Sequence, residues 1–228
     1  MRDLLKRLGL VAAYAIAMAW VESAVVVYLR VMIGRIEPYQ VDPLPVSAGL
    51  GWIEVGREAA TLLMLWAVGW LAGRTWRGRA GYALIAFGVW DIFYYIFLVP
   101  MSGWPNSLLD WDVLFLIPLP WWGPVLAPVS ISVLLIVGGG LAAWGEQTGA
   151  RAWPRWWAWL LNISGVGLAL YTFMATALQT LPEGEMAVRR ALPISYDWPL
   201  FLLALALLAV PLIDMGWQMQ NGRRRLVH

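Results

Sequence analysis

Six long apolar runs alternate with short polar stretches along the chain, at about 8–28, 50–73, 81–99, 125–144, 157–178 and 199–217. Each is close to the ~20 residues an α-helix needs to cross a bilayer. The pattern predicts an all-α polytopic membrane bundle of six transmembrane helices, forming one integral membrane domain over 1–228. The stretch 100–124 interrupts it with Pro100, Pro105, Pro118, Pro120 and Pro124, and Pro128 follows just beyond. Proline removes helix hydrogen bonds, so a plain span does not fit there. Asn106 or Ser107 is placed to cap a short helix with Asp110 in its first turn, and Pro118 and Pro120 stop the apolar stretch 114–117. With Trp104, Trp111, Trp121 and Trp122, the segment reads as a re-entrant or interfacial element on the outer side, between spans 3 and 4.

Composition supports the membrane class. Only 13% of the 228 residues are charged against 61% hydrophobic, with mean hydropathy +0.67, whereas a soluble domain carries about 25% charged residues. Many of the 17 Trp flank the apolar runs, as an aromatic belt does. The basic residues set the orientation. Eleven of the 16 Lys and Arg (Arg2, Lys6, Arg7, Arg74, Arg77, Arg79, Arg151, Arg155, Arg223, Arg224, Arg225) fall on one side of the six-span scheme. Four (Arg30, Arg35, Arg189, Arg190) fall on the other. The positive-inside rule then puts both termini in the cytoplasm of a multi-pass protein of the inner (cytoplasmic) membrane. The arginines are topology signals, so the pI near 9.1 implies no nucleic-acid partner. A cleaved signal peptide ending near Ala17-Met18-Ala19 is the competing reading of the N-terminus, and it leaves five spans. The apolar run continues past Glu22 to Tyr28, which favours a span.

Against this background four carboxylates stand out inside the spans: Glu22, Glu54, Glu58 and Asp91, with Arg57 as the one base among them. A charge at the bilayer centre costs at least ~2.5–3.5 kcal/mol on insertion scales, so such residues mark function by default. Helix rise from the basic side places Glu22 roughly 20 Å, Glu58 about 22 Å, Glu54 about 28 Å and Asp91 about 16 Å up. All four therefore fall in one layer, from the membrane middle outward, with Asp110 and Asp112 entering from the outer segment. Glu54 and Glu58 share a helix face, and Arg57 is three residues from Glu54. Asp91, Tyr94 and Tyr95 have the same i, i+3, i+4 relation, and Trp20 and Trp90 are placed to form an apolar wall. Asp197 and Asp214, at the ends of the sixth span, read as interfacial, and Asn162 and Ser164 as helix-packing polars. The pairs Gly69/Gly73 and the run 138–140 favour close helix packing.

The residue inventory limits the chemistry. There is no cysteine, and the only histidine is His228. Disulfides, Cys/His zinc sites, haem ligation, Fe–S clusters and Ser-His or Cys-His nucleophile pairs are therefore not expected. An oxygen-only set of Glu22, Glu54, Glu58 and Asp91, with Asp110 and Asp112 as lid ligands, suits a hard divalent cation such as Mg, Ca or Mn. Asp110-Trp111-Asp112 is a DxD triplet of the kind that holds a metal-diphosphate. No P-loop, GxSxG or dinucleotide fingerprint occurs. The leading expectation is a membrane-embedded enzyme or binding protein for a lipid-soluble or cationic small molecule, using acid–base or hard-cation chemistry. In the catalytic version Glu58 or Asp91 is the protonated acid and Glu22 the ionised partner, with Glu54 and Arg57 completing the site. Proton or cation transport is the alternative, as is a non-catalytic subunit of a larger membrane complex or homo-oligomer. A purely structural network of buried Glu–Arg and carboxyl–tyrosine contacts competes with all of these.

Overall fold

The computed structural model describes residues 1–40, 48–115, 118–149 and 153–224, with the backbone alone at 48–52, 54 and 222–224. Arg151, Arg225 and His228 lie outside the described residues, as does the side chain of Glu54. Seven α-helices are described: α1 (Arg2–Met32), α2 (Ala48–Ala72), α3 (Trp76–Ser102), α4 (Leu126–Thr148), α5 (Trp156–Thr180), α6 (Glu185–Arg190) and α7 (Trp198–Arg224). A 3₁₀ turn, Leu181–Glu183, leads into the short α6. Among the described residues five segments are long and apolar enough to cross a membrane: Arg2–Met32, Trp76–Ser102, Leu126–Thr148, Trp156–Glu183 and Trp198–Asn221. The chain is thus a multi-pass helical membrane protein. Helix α2, with 25 residues, is ~37 Å long at 1.5 Å per residue. It carries Glu54, Arg57 and Glu58 in its first half and is not among the five.

The helices are longer than the apolar runs that announce them, because their polar ends stay helical. α1 includes the basic turn from Arg2 to Arg7, and α3 runs through Pro100 to Ser102. Pro100 sits in the last turn of α3, where little of the helix remains to be broken. Gly103 then ends it in the left-handed conformation (φ 75°), its N–H donating to the Val99 carbonyl at 2.9 Å.

The Pro/Trp-rich segment differs from the expected short capped helix. Trp111–Phe115 (β1) and Trp121–Pro124 (β2) pair antiparallel, Trp111 with Pro124 and Val113 with Trp122, with a shift in register between Val113 and Phe115. Aromatic and β-branched residues at 111, 113, 115, 121 and 122 fit a strand better than a helix. Asp110 turns the chain rather than opening a helix: its Oδ2 accepts the backbone N–H groups of Asn106 (2.7 Å) and Ser107 (3.3 Å). The hairpin lies against α4 and α5, with Trp122 buried and Trp121 stacked on Phe173.

α3 lies at the centre of the bundle, in contact with α1, α2 and α4, while α7 packs on α5 and α4. Small residues make these seams. Ala15, Ala19, Ala86, Ala127, Ala158 and Ala204 are all fully buried, whereas Leu71 is 85% and Leu10 72% exposed. Large apolar side chains facing outward around an alanine-lined interior suit a hydrocarbon solvent. A close backbone approach is at Gly139 on α4, where a Cβ would lie 2.4 Å from the Gly81 carbonyl of α3. At Gly69 on α2 a Cβ would lie 2.5 Å from the Ala83 nitrogen of α3. Gly138 faces Leu212 of α7, and a Cβ at Gly140 would meet no neighbouring element within 4 Å.

Contacts at the helix ends fix the directions. Arg7 donates to the Ala72 carbonyl at 2.7 Å and Arg74 bonds Asp3 at 3.2 Å, joining the start of α1 to the α2–α3 turn. Glu146, in the last turn of α4, reaches that turn too. Its Oε1 accepts the backbone N–H of Arg74 (2.8 Å) and of Thr75 (2.5 Å) and the Thr75 hydroxyl (2.9 Å). The Thr75 Oγ1 in turn accepts from Gly78 N at 3.1 Å, so α3 is capped both by its own threonine and by a carboxylate from α4. Asp214 of α7, 5% exposed, accepts from Arg155 N and Gln218 Nε2, both at 2.9 Å, and so anchors the start of α5. One end of the bundle therefore gathers the start of α1, the last turns of α7 and the basic residues Arg2, Lys6, Arg7, Arg74, Arg77, Arg79 and Arg155.

Gly139→Leu is expected to lower the unfolding free energy by about 2 kcal/mol or more, since the added side chain meets backbone rather than a movable group. Gly140→Ala, in open space on the same helix, should leave stability unchanged or raise it by up to about 1 kcal/mol. Sodium dodecyl sulfate unfolding in mixed micelles compares the two.

Candidate functional site

The polar side chains away from the Arg7–Arg74 end fall into three groups, each built across different elements. In the first, Glu22 of α1 is buried and forms an ion pair with Arg57 of α2, and it accepts the Thr61 hydroxyl at 3.2 Å. Arg57 and Thr61 are one turn apart, so both present themselves to Glu22. Glu58 Oε1 stands 3.9 Å from Arg57 Nη2. The Arg57 and Glu58 side chains remain 20% and 25% exposed, so this group opens on the α1–α2 flank.

In the second group, Asp91 of α3 accepts the Ser132 hydroxyl of α4 at 2.8 Å. The spacing of Asp91 to Tyr94 and Tyr95 points to a carboxyl–tyrosine bond, but Tyr95 turns its hydroxyl to the hairpin instead. Ser132, brought close by the glycine seam between α3 and α4, takes its place at Asp91. Trp90 stacks with Tyr94 and packs on Phe87, while Trp20 meets Phe97 and is half exposed. Only Trp90 thus lines the interior.

The third group was not legible in the sequence. Asp112 of β1 is 2% exposed. Arg30 Nη2 of α1 donates to its Oδ1 at 3.1 Å, and the Tyr95 hydroxyl of α3 donates to its Oδ2 at 3.2 Å. The Val113 backbone N–H adds a bond of 2.9 Å to Oδ1. The Arg30 guanidinium carbon lies 4.5 Å from the centroid of Trp104, a cation–π contact that fixes its plane. Arg30 reads in the sequence as a topology marker, and only its charge, opposite to that of a distant aspartate, signals the pair.

The sequence candidates are therefore partly gathered. Glu22, Arg57 and Glu58 meet, Asp91 has its own partner on α4, and the Glu54 side chain lies outside the described residues. Ser23, next to Glu22, donates to the Tyr94 carbonyl at 3.0 Å, which puts Glu22 about one helical turn from the level of Asp91. Asp110 and Asp112 have separate partners, one in the turn before β1 and the other in the interior. Among the described residues no group of three or more Asp, Glu, His or Cys gathers closely enough to hold a metal ion. Asp197 caps α7 through Leu200 N at 3.0 Å, and Asn162 bonds the Leu208 carbonyl at 3.2 Å between α5 and α7.

Burial pushes the Asp112 carboxyl above its ordinary value, and the Arg30 charge and three hydrogen bonds pull against that without cancelling it. The folded chain thus holds this proton more tightly than the unfolded chain. The resulting stability is fully present below the ordinary carboxylate pKa and is lost as pH rises through the raised value. Asp112→Ala is expected to cost about 2–3 kcal/mol, since Arg30 and Tyr95 lose their acceptor. Asp112→Asn keeps an acceptor oxygen, should cost less, and should erase this acid-range step from a plot of unfolding free energy against pH. No family model matches the chain, and no curated protein or solved structure is significantly similar to it.

Proposed function

We propose that the protein is a membrane-embedded binding protein or acid–base catalyst for a lipid-soluble or cationic small molecule. Its site is the group of Glu22, Arg57 and Glu58, with Glu54 on the same helix as Arg57 and with Asp91 on α3 about one turn away in level. In this reading α2 is a sixth span, both termini are cytoplasmic, and the protein sits in the inner (cytoplasmic) membrane with the network in the outer half of the bilayer. The gathering of basic residues at the end that holds the start of α1 and the last turns of α7 supports that orientation.

One observation carries the reading: Arg57 and Glu58 stay 20% and 25% exposed on the α1–α2 flank, at the depth of a buried ion pair. A charged group open to hydrocarbon is costly, so a ligand arriving sideways from the bilayer gains by covering it. The acids of the spans also outnumber the bases. Arg57 pairs with Glu22, and Asp91 meets a hydroxyl rather than a base. The remaining acidity is suited to holding a proton for transfer or to receiving a positive charge. The roles follow, with Glu22 held ionised by Arg57 and Glu58 or Asp91 serving as the protonated acid.

Extraction of the protein into native nanodiscs, followed by mass spectrometry of the retained small molecules, tests this. The wild type should retain a species that the Glu58→Gln/Asp91→Asn variant loses by tenfold or more. Identical small-molecule contents in the two would overturn the reading. Dissipation of a pH gradient across liposomes by the wild type, but not by Glu22→Gln, would replace it with proton transport.

A further inference from the structure

The basic end of the bundle holds an arginine whose charge no carboxylate meets. Arg79, near the start of α3, lies with its guanidinium carbon 4.0 Å from the ring centroid of Trp70, in the last turn of α2. Its Nε donates to the Gly73 carbonyl at 3.4 Å. Among the described residues these are the only polar or aromatic partners of its side chain. The Nη1–Nη2 edge therefore has no acceptor in the protein, and both amino groups keep accessible surface. The acids of this end are engaged elsewhere: Asp3 pairs with Arg7 and Arg74, Glu146 holds the α2–α3 turn, and Asp214 stands by Arg155.

We propose that Arg79 and Trp70 seat the phosphate of an anionic phospholipid, in the headgroup layer at this end. A guanidinium grips phosphate through two parallel N–H donors in its own plane. An indole on its face orients that fork without competing for the ligand. The apolar side of the seat runs along one face of α2 toward the membrane middle, where Trp66 and Trp70 are about half exposed and Leu63 more than half. An acyl chain lies along that track while its head meets Arg79. Charge selects an anionic head, since Arg2, Lys6, Arg7, Arg74, Arg77, Arg79 and Arg155 gather here against Asp3, Glu146 and Asp214 among the described residues. Trp70 suits the headgroup level, where tryptophan concentrates. The seat rests on α2 as the sixth span, as proposed above, and not on the carboxylate group. Arg155 offers a built-in comparison. Its guanidinium carbon lies 5.0 Å from the Trp217 centroid, but its Nε stands 3.7 Å from Asp214 Oδ1, so there the pairing already has a counterion.

The test uses the full chain in detergent micelles with three probes: a short-chain phosphatidylglycerol, the phosphatidylcholine with the same chains, and glycerol phosphate. Native mass spectrometry gives the affinities. Phosphatidylcholine carries the same phosphate with a cancelling cation, so phosphatidylglycerol should bind about fivefold more tightly. Trp70→Leu keeps every charge and an apolar side chain at a half-exposed position, and should weaken phosphatidylglycerol about threefold with Tm unchanged. Arg79→Gln should weaken it about tenfold, and decides the matter if Trp70→Leu fails to fold. Arg155→Gln removes the same charge and should leave the affinity unchanged. So should Glu58→Gln/Asp91→Asn, which separates the seat from the carboxylate reading. Equal affinity for the two lipids, no loss in Trp70→Leu or Arg79→Gln, or an equal loss in Arg155→Gln would overturn the proposal. Glycerol phosphate binding as tightly as the lipid would overturn the lipid as its source.

Discussion

The close approach of α3 to α4 across Gly81 and Gly139 is the constraint on which the rest of the molecule depends. Lipid tails are as apolar as the helices they surround, so association in a bilayer rests on tight contact and on polar groups that find one another. At this seam a Cβ would enter the opposite backbone. That proximity is what places the Ser132 hydroxyl against Asp91 and the α4 carboxylate of Glu146 against the start of α3. Packing by absence of side chains thus makes room for the polar chemistry that side chains supply.

Three of the buried acids are each met from a different element. Glu22 on α1 meets Arg57 on α2, Asp91 on α3 meets Ser132 on α4, and Asp112 on the hairpin meets Arg30 on α1 and Tyr95 on α3. In a medium of low dielectric an unmatched charge is far more costly than in water, so every such pair also fixes the relative height of two elements. The network that carries the proposed chemistry and the network that orders the helices are therefore the same atoms.

Much of this was legible in the chain and some was not, for definable reasons. The long helices follow from apolar runs of bilayer length, but their ends do not, because the turn from Arg2 to Arg7 is helical without being apolar. The carboxylate layer followed from helix rise alone, and Ser23 bonding Tyr94 agrees with its level. Spacing within one helix sees only that helix. It puts Arg57 within reach of Glu54, whose side chain lies outside the described residues, and a tyrosine beside Asp91, whereas Glu22 and Ser132, which meet Arg57 and Asp91 from neighbouring helices, lie beyond its reach. The hairpin was hidden because its prolines announce a broken helix more loudly than Val113, Phe115 and Trp122 announce strands.

The carboxylate of Glu146 at the head of α3 also bears on how the chain is made. A polypeptide emerges N-terminus first, so α3 enters the membrane before the residue that completes its cap has been synthesised. Until α4 follows, two backbone amides of the α2–α3 turn, those of Arg74 and Thr75, lack the acceptor they have in the finished protein. Helix α4 is the element whose arrival supplies that acceptor, so the cap of α3 joins an early helix to a later one.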